Sequence, residues 1–450
     1  MALSRLFSNR LVPYRRATGW QRSRNGRVGL VAAVAAALVL ACPGSALAAP
    51  GDLDTSFDTD GMVTTDFGGM EEARGVAVQT DGKIITAGRT SVGDDFALAR
   101  YNTDGSLDTS FDTDGKVTTD FGGTEEAFGV AVQTDGKIIT AGRTSVGDDF
   151  ALARYTTDGS LDTSFDTDGK VTTDFGGMEE ARGVVLQADG KLIASGFTSS
   201  GGNFDFALAR FNTDGSLDTS FDTDGKVTTD FGGTDQAFGV AVQTDGKIVT
   251  VGDSSVGGGF ALARFNTDGS LDTSFDTDGK VSTDFGLEAL GVALQTDGKI
   301  VAVGRTNNQF ALARFNTDGS LDTSFDTDGK VTADTGGTSS VARDVAVQTD
   351  GKIVAAGVGG PAGSRFALVR FNTDGSLDTS FETGDVGGAA NGVVVQTDGK
   401  IVAAGVTGGE AGDFALARYE GVMAPLPAST CPSPRPGRPP SAVAIEPPTP

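Results

Sequence analysis

One position in a unit that recurs about every fifty residues is mostly occupied by arginine or by a bulky apolar residue. Side chains of these types could contact a ligand. The residues at this position are Arg74, Phe128, Arg182, Phe238, Leu290, Arg343 and Asn391. Guanidinium groups bind carboxylates, and aromatic rings stack on sugars or cations. We therefore take Arg74, Phe128, Arg182, Phe238, Arg343 and Asn391 as candidate ligand-binding residues. The alternative is structural: each arginine neutralises the glutamates that precede it, and each phenylalanine packs between neighbouring repeats.

A second repeated pattern, Ser-Phe-Asp-Thr-Asp-Gly, resembles the start of a calcium-binding loop. Ser110, Asp112 and Asp114 alternate and Gly115 follows, an arrangement of oxygen ligands before a tight turn that suits Ca²⁺. The candidate metal ligands are Asp58, Asp60, Asp112, Asp114, Asp166, Asp168, Asp222, Asp224, Asp276, Asp278, Asp326 and Asp328. The loop lacks the bidentate glutamate of a complete site, having Phe121 there, so an Asx turn is the alternative interpretation. Ca²⁺ is the only cofactor that the pattern suggests.

Composition excludes several classes of function. The chain has no histidine, and its two cysteines, Cys42 and Cys431, lie outside the repeats. Ser-His-Asp and Cys-His catalysis and zinc sites built from His or Cys are therefore excluded from the repeat region. A formal charge of −25 argues against nucleic acid as a partner. The acids recur in near-identical copies, so we expect no enzyme; a carboxylate-based glycan hydrolase or lyase remains the alternative.

These residues belong to seven copies of one unit, marked by the motif Leu-Asp-Thr-Ser-Phe. The motif starts at Leu53, Leu107, Leu161, Leu217, Leu271, Leu321 and Leu377. The second unit shows four short segments rich in β-branched or aromatic residues, at 116–123, 129–133, 137–142 and 150–155. Asp135-Gly136 between the second and third segments is a strong hairpin signal. Four antiparallel strands per unit and seven units predict an all-β, seven-bladed β-propeller.

The repeated motifs GSLDTSF, GKV, VAVQTDGKI and FALARFNTDG resemble the bacterial delta-sixty repeat over about 370 of the 450 residues. This resemblance implies a secreted or cell-surface β-propeller whose biochemical role is open. The strand order is also similar to that of NHL-type propellers, in which the GVAV-like strand is innermost. By that analogy we name the strands A (GVAVQ), B (KIITAG), C (FALARY) and D (KVTTDFG). The candidate ligand-binding residues then lie just before strand A, near the mouth of the central channel.

The differences in length between repeats fall in the D–A and B–C loops, which share one face of the disc because successive strands alternate in direction. Variable loops on a rigid scaffold commonly carry binding specificity. We therefore expect a binding scaffold, with a glycan or a protein as its extracellular ligand, acting as a monomer. The alternatives are that these turns are merely tolerant of change, or that the protein is a structural repeat stabilised by calcium.

The ends of the chain differ from the repeats. Residues 1–48 carry seven arginines, no acid, a 14-residue apolar or glycine run at 28–41 and a small-x-small cleavage motif ending at Ala48. They predict a signal peptide, secretion and a mature start at Ala49, without a membrane span. The alternative is a lipoprotein anchored through Cys42. The tail, residues 422–450, holds ten of the fourteen prolines and is expected to be disordered, leaving residues 49–421 for the propeller.

The order of strands along the chain predicts how the disc closes. A D strand at 62–67 comes before any A strand, and a C strand at 414–419 has nothing after it. Pairing these two completes the last blade with the N-terminal strand and covers an exposed sheet edge.

Overall fold

Each repeat folds into a small antiparallel sheet, as the sequence predicts. The computed structural model describes residues 48–337, 339–361, 365–384, 386–408 and 412–422. These residues form 27 strands and no α-helix. Accordingly, within the described ranges no helix is long and apolar enough to cross a membrane.

The A strands are β2 (Glu71–Val78), β6 (Glu125–Val132), β10 (Glu179–Leu186), β14 (Asp235–Val242), β18 (Glu288–Leu294), β22 (Val341–Val347) and β25 (Ala389–Val395). The B strands are β3 (Ile84–Thr90), β7 (Ile138–Thr144), β11 (Leu192–Thr198), β15 (Ile248–Ser254), β19 (Ile300–Arg305), β23 (Ile353–Gly359) and β26 (Ile401–Val406). The C strands are β4 (Asp95–Tyr101), β8 (Asp149–Tyr155), β12 (Asp205–Phe211), β16 (Phe260–Phe265), β20 (Phe310–Phe315), β24 (Arg365–Phe371) and β27 (Phe414–Tyr419). The D strands are β1 (Met62–Thr65), β5 (Lys116–Thr119), β9 (Lys170–Thr173), β13 (Lys226–Thr229), β17 (Lys280–Ser282) and β21 (Lys330–Ala333).

The sheets are seven separate blades in the order A–B–C–D, which confirms the seven-bladed propeller. Blade 2 consists of β6, β7, β8 and β9, and the other blades follow the same antiparallel pattern, except that the described residues of blade 6 form only strands A, B and C. The turn between its strands A and B closes with Gln133 N–H donating to Lys137 O at 2.8 Å. The Asp-Gly hairpin signal in the sequence is therefore confirmed.

The hydrophobic core lies between blades. One cluster joins Phe96 and Leu98 of blade 1 to Ile138 and Ala151 of blade 2, and equivalent clusters join the other neighbours. Strands B and C lie in the middle of each blade, and neighbouring blades pack against both faces of the sheet there. Their side chains are therefore buried whichever face they point to. This explains why strands B and C are almost continuously apolar or small.

The N-terminal strand closes the disc as predicted. Strand β1 pairs with β27 in the register Met62↔Ala417 and Val63↔Leu416. The ring centroids of Phe67 and Phe414 lie 5.0 Å apart. Blade 7 thus combines both ends of the repeat region and has no free C-strand edge.

Blade 6 departs from the four-strand expectation at its outer edge. In the described residues its sheet has three strands, and beyond β24 only an isolated bridge joins Arg365 to Gly387. Val386 is buried and its carbonyl accepts from Phe366 N at 2.9 Å. The sequence explains the difference, because Thr-Gly-Asp-Val-Gly-Gly stands where the other repeats have Gly-Lys-Val-Thr.

The predicted signal peptide is residues 1–48 and the predicted disordered tail is residues 422–450. Apart from Ala48 and Val422, both lie outside the described residues. These two assignments stay predictions.

Candidate ligand site at the mouth of the channel

The seven repeated positions that include the candidate ligand-binding residues are all bulge residues within strand A; one comes from each blade, and together we call them the ring. In β6, Ala127 pairs with Gly142 and Gly129 pairs with Ala141, so Phe128 is the extra residue. The same shift occurs at the equivalent place in the other A strands. The expectation that these residues lie just before strand A was therefore wrong: the strand begins earlier, because Glu125 already pairs with Thr144. A bulge re-aims a side chain out of the regular ladder.

The bulges bring the seven side chains together. A depression of about 270 Å³ on the D–A loop side of the disc is lined by Glu72 and the seven bulge residues, Arg74, Phe128, Arg182, Phe238, Leu290, Arg343 and Asn391. Each blade thus contributes one bulge residue to a single depression. Whether these residues bind a ligand stays a prediction.

Directly below this ring the inner strands approach one another closely. A Cβ atom added to Gly129 would lie 3.0 Å from the backbone nitrogen of Val184 in the next blade. Glycine occupies the equivalent place in six blades, and in the remaining one Asp344 replaces it. The channel is thus narrow beneath the ring, and its sixfold glycine pattern is broken once.

In blades 1 to 3 the ring forms a closed stack. The guanidinium carbons of Arg74 and Arg182 lie 5.0 and 4.1 Å from the Phe128 ring centroid. Arg74 pairs with Glu72 at 3.0 Å and with Glu126. Arg182 pairs with Glu180 at 2.5 Å, and burial lowers its pKa. The structural alternative from the sequence, neutralised arginines around a packed phenylalanine, describes this part of the ring.

In blades 4 and 5 the ring is apolar. Phe238 and Leu290 occupy the bulge positions and remain partly exposed. On the side facing blade 3, the guanidinium carbon of Arg182 is 5.7 Å from the Phe238 ring centroid. These two side chains present an apolar surface to the depression.

In blades 6 and 7 the ring holds a cation without a counter-ion. Arg343 Nη1 donates to Asn391 Oδ1, and Asn391 Nδ2 donates to Ala73 O at 2.6 Å. Within the described ranges no carboxylate lies within 4.0 Å of the Arg343 guanidinium. Burial lowers the pKa of Arg343, only partly offset by the more distant charge of Glu72. Arg343 therefore lacks the ion pairs that Arg74 and Arg182 form, although all three residues occupy the same position of the repeat.

Asp344 is a second asymmetric group, and the sequence reasoning missed it. Its carboxylate accepts from Val345 N and from Val393 N of the next blade, both at 2.8 Å. Burial raises its pKa to about 6, against the effect of these two hydrogen bonds. The signal was present in the repeats, since Arg-Asp-Val stands where the others have glycine before valine.

The aspartates of the calcium-like loops lie on the opposite face and form turns. Asp112 and Thr113 both have positive φ, 42° and 71°, and Gly115 follows at 88°. Asp114 Oδ1 accepts from Lys116 N at 2.9 Å, and its other oxygen is 3.7 Å from the Lys116 ammonium. In the described part of the chain, none of the twelve candidate aspartates belongs to a group of three acids close enough to share an ion. Their metal binding stays untested.

A family model described as a domain of unknown function (DUF5122) β-propeller matches the chain seven times. The matched residues are 79–111, 133–165, 187–221, 243–275, 295–325, 348–381 and 396–421, together half of the chain. The chain belongs to the DUF5122 β-propeller family. This membership confirms a β-propeller repeat protein, while the delta-sixty resemblance stays a prediction. No curated protein sequence matches this DUF5122 chain.

The chain is also similar to solved structures, of which the first below supports the same architecture. Virginiamycin B lyase from Staphylococcus aureus is 11% identical, with a TM-score of 0.51 over 79% of this chain and 98% of its own. A Lactobacillus plantarum protein is 16% identical, with a TM-score of 0.45 over 68% and 83%. Polysaccharide lyase Uly1 is 13% identical, with a TM-score of 0.45 over 77% and 90%. At these identities the likeness concerns the fold and carries no activity to the DUF5122 chain.

Proposed function

We propose that this protein is an exported binding scaffold that holds an acidic ligand at the mouth of its channel. The observation that carries the proposal is Arg343, a partly buried guanidinium that lines the depression without an ion-paired carboxylate among the described residues. A partly buried charge without a counter-ion is unfavourable, and an anion from a ligand would supply that counter-ion through short, charge-assisted hydrogen bonds.

The neighbours of Arg343 favour a carboxylated sugar among acidic ligands. Phe238 and Leu290 precede it around the ring, so an apolar surface adjoins the cation. A uronic acid has a carboxylate and an apolar C–H face on one ring, which suits this combination. Arg74 and Arg182 are already neutralised, and Phe128 between them is only 9% exposed, so we assign these three a supporting role.

The positions of the variable loops also favour ligand binding on the face of the disc that carries the depression. The D–A and B–C loops, where the repeats differ in length, emerge on the side where the bulge residues lie. Loops that vary on a rigid scaffold commonly determine what is bound. The opposite face repeats its turns with little change from blade to blade.

An enzyme is the second candidate, favoured by Asp344. A single carboxyl with a pKa of about 6 is suited to proton transfer near neutral pH, and Asp344 lies directly below the ring. Both of its oxygens accept backbone hydrogen bonds, however, which supports a role in joining β22 to β25. Binding without turnover is therefore the function we favour.

A screen of glycans and peptidoglycan fragments tests the proposal. The mature chain and an Arg182→Ala, Arg343→Ala double variant are compared on the same array. We expect wild-type binding to concentrate on carboxylated glycans and the double variant to lose it. Undiminished binding by the double variant would remove these arginines from the site. If mass spectrometry shows that a bound glycan becomes shorter during incubation with the protein, the result would instead favour an enzyme.

Export is part of this proposal. The backbone nitrogen of Ala49 lies 2.7 Å from Asp52 Oδ2, so cleavage after Ala48 would place a new ammonium group beside a carboxylate. We expect the intact mass of protein recovered outside the cell to match a chain starting at Ala49. A mass that includes diacylglycerol on Cys42 would contradict this start and favour a lipoprotein anchored through Cys42.

A further inference from the structure

Four groups of three acids lie at boundaries between blades, on the same face as the variable loops. We call them the boundary clusters. Each combines an acid at the start of strand C, an aspartate after strand D and an acid at the start of the next blade's strand A. The clusters are Asp413, Asp66 and Glu71; Asp95, Asp120 and Glu125; Asp149, Asp174 and Glu179; and Asp205, Asp230 and Asp235. In each, one oxygen from every acid lies within 4.8 Å of the others.

Each boundary cluster contains a fully buried carboxylate with one oxygen left without a partner. Glu125 is 1% exposed, and its Oε1 accepts from Gly123 N at 2.8 Å and from Thr144 Oγ1 at 3.0 Å. Its buried Oε2 has no hydrogen-bond partner. The unpartnered atoms of the other three clusters are Glu71 Oε2, Glu179 Oε2 and Asp235 Oδ1. A buried polar atom without a partner is unfavourable, and its fourfold recurrence points to a missing ligand.

The charges of the cluster point to a cation. Three carboxylates that share so small a volume repel one another. Burial, followed by the charges of Asp120 and Glu125, raises the pKa of Asp95. The same direction holds for Asp149 and Asp205 in their clusters. A cation would turn this repulsion into attraction.

The seven repeats contain an internal comparison. At the three boundaries without a cluster, the strand C acid and the strand A acid are both replaced, by Gly259 and Leu287, by Gln309 and Ser340, and by Arg365 and Gly388. At the four boundaries with a cluster, both acids are present. The two positions belong to different blades, and they lie about thirty residues apart or, for Asp413 and Glu71, near opposite ends of the repeat region. A turn-forming role for one would therefore not require the other. Their joint presence or absence indicates a shared ligand.

We propose that the four boundary clusters bind hard divalent cations, with Ca²⁺ as the best match. All protein donors are oxygens, and three carboxylates plus water can supply the six to eight ligands that Ca²⁺ takes in a flexible arrangement. Mg²⁺ requires a stricter octahedron, and softer metals prefer nitrogen or sulfur. These sites are separate from the channel mouth and from the aspartate turns of the opposite face.

Calcium in these sites would tie three chain segments together at each boundary. One of the four is the boundary between blades 7 and 1, where Asp66 follows the closing strand β1. The cations would therefore strengthen the disc across four consecutive boundaries, including the one at which it closes.

Titration calorimetry of the chelator-treated mature chain with CaCl₂ tests this proposal. We expect four sites in the wild type and three in Glu125→Gln, which keeps the shape of the side chain and removes its charge. Asp114→Asn, a charge removal in a calcium-like turn, is the matched control and should keep four. Absence of binding at millimolar Ca²⁺, or four sites in Glu125→Gln, would overturn the proposal.

Thermal unfolding separates a metal site from a purely structural cluster. In the presence of a chelator, Glu125→Gln should melt at a higher temperature than the wild type, because one repelling charge is gone. With Ca²⁺ added, the wild type should gain more than the variant. Glu179→Gln repeats the test at another boundary if the first variant does not fold. A melting temperature that Ca²⁺ leaves unchanged in the wild type would contradict the proposal.

Discussion

At the residue scale, a buried ion pair recurs in every blade and joins it to the next. In blade 3, Arg210 Nε donates to Asp218 Oδ2 at 2.7 Å, and its guanidinium carbon lies 4.6 Å from the Phe221 ring centroid. Arg210 Nη1 also donates to Thr267 O in blade 4. The motif Leu-Asp-Thr-Ser-Phe, visible in the sequence only as a marker of the repeat, thus supplies the anion and the ring that hold the strand C arginine.

Removing this arginine should destabilise the fold. In Arg210→Met the buried Asp218 keeps only Lys191 as a cationic partner, at 2.8 Å. We expect a loss of about 3–5 kcal/mol in the free energy of unfolding, typical of breaking a buried pair. Urea unfolding measures it, with Asp224→Asn as the exposed control, expected to change stability by about 0.5 kcal/mol or less. Equal midpoints for the two variants would show that the pair is not structural.

Asp344 gives a prediction about pH. Burial raises the pKa of the Asp344 carboxyl to about 6, so ionising this group is less favourable in the folded state than in the unfolded state. The resulting loss of folding stability is absent at low pH, where the carboxyl is protonated in both states, and is complete above about pH 6. The stability of the wild type relative to Asp344→Asn should therefore decrease as the pH rises from about 4 to 7, by about 2 kcal/mol. Thermal or urea unfolding of both proteins across this range checks it, and a difference independent of pH would contradict the burial of the ionised form.

At the element scale, the sequence predicts the strands but not the bulges. Residues 129–133, 137–142 and 150–155 were expected as strands and lie within β6, β7 and β8 apart from their end residues. The A strands begin earlier than expected, because Glu125 and Glu126 look like loop residues and only their pairing with strand B shows otherwise. A bulge depends on this partner register, which a single strand's composition does not encode.

The closing strand can be tested by truncation. Deleting residues 49–69 removes β1, the buried Val63 and the Asp54 carboxylate that pairs with Arg418 at 2.7 Å. At about 1.5–3 kcal/mol per buried apolar side chain, we expect a loss of several kcal/mol and aggregation or a markedly lower melting temperature.

Removal of residues 422–450 is the control for this truncation. It keeps Gly421, whose carbonyl accepts from Arg370, so the melting temperature should change little. Equal melting temperatures for the two truncations would show that β1 does not close the disc.

At the scale of the whole molecule, seven similar blades carry one asymmetric site. The sequence predicted where the ring lies, because the repeat fixes the place of each candidate residue. It did not distinguish Arg343 from Arg74 and Arg182, since the distinction depends on which glutamates reach each guanidinium across a blade boundary. Glu126 of blade 2 reaches Arg74 of blade 1, whereas blade 6 has Val341 and blade 7 has Ala389 at the equivalent position. Such contacts between repeats follow from the closed ring.

The most direct measurement is the affinity for a uronic-acid oligosaccharide of Arg343→Gln and of Arg89→Gln. Arg89 is a half-exposed arginine of strand β3 that pairs with Glu126 at 3.4 Å and does not line the depression. We expect Arg343→Gln to weaken binding about tenfold or more and Arg89→Gln to leave it within about twofold, with no binding of the neutral oligosaccharide by either. Equal affinities of the two variants for the acidic oligosaccharide would contradict a ligand site centred on Arg343.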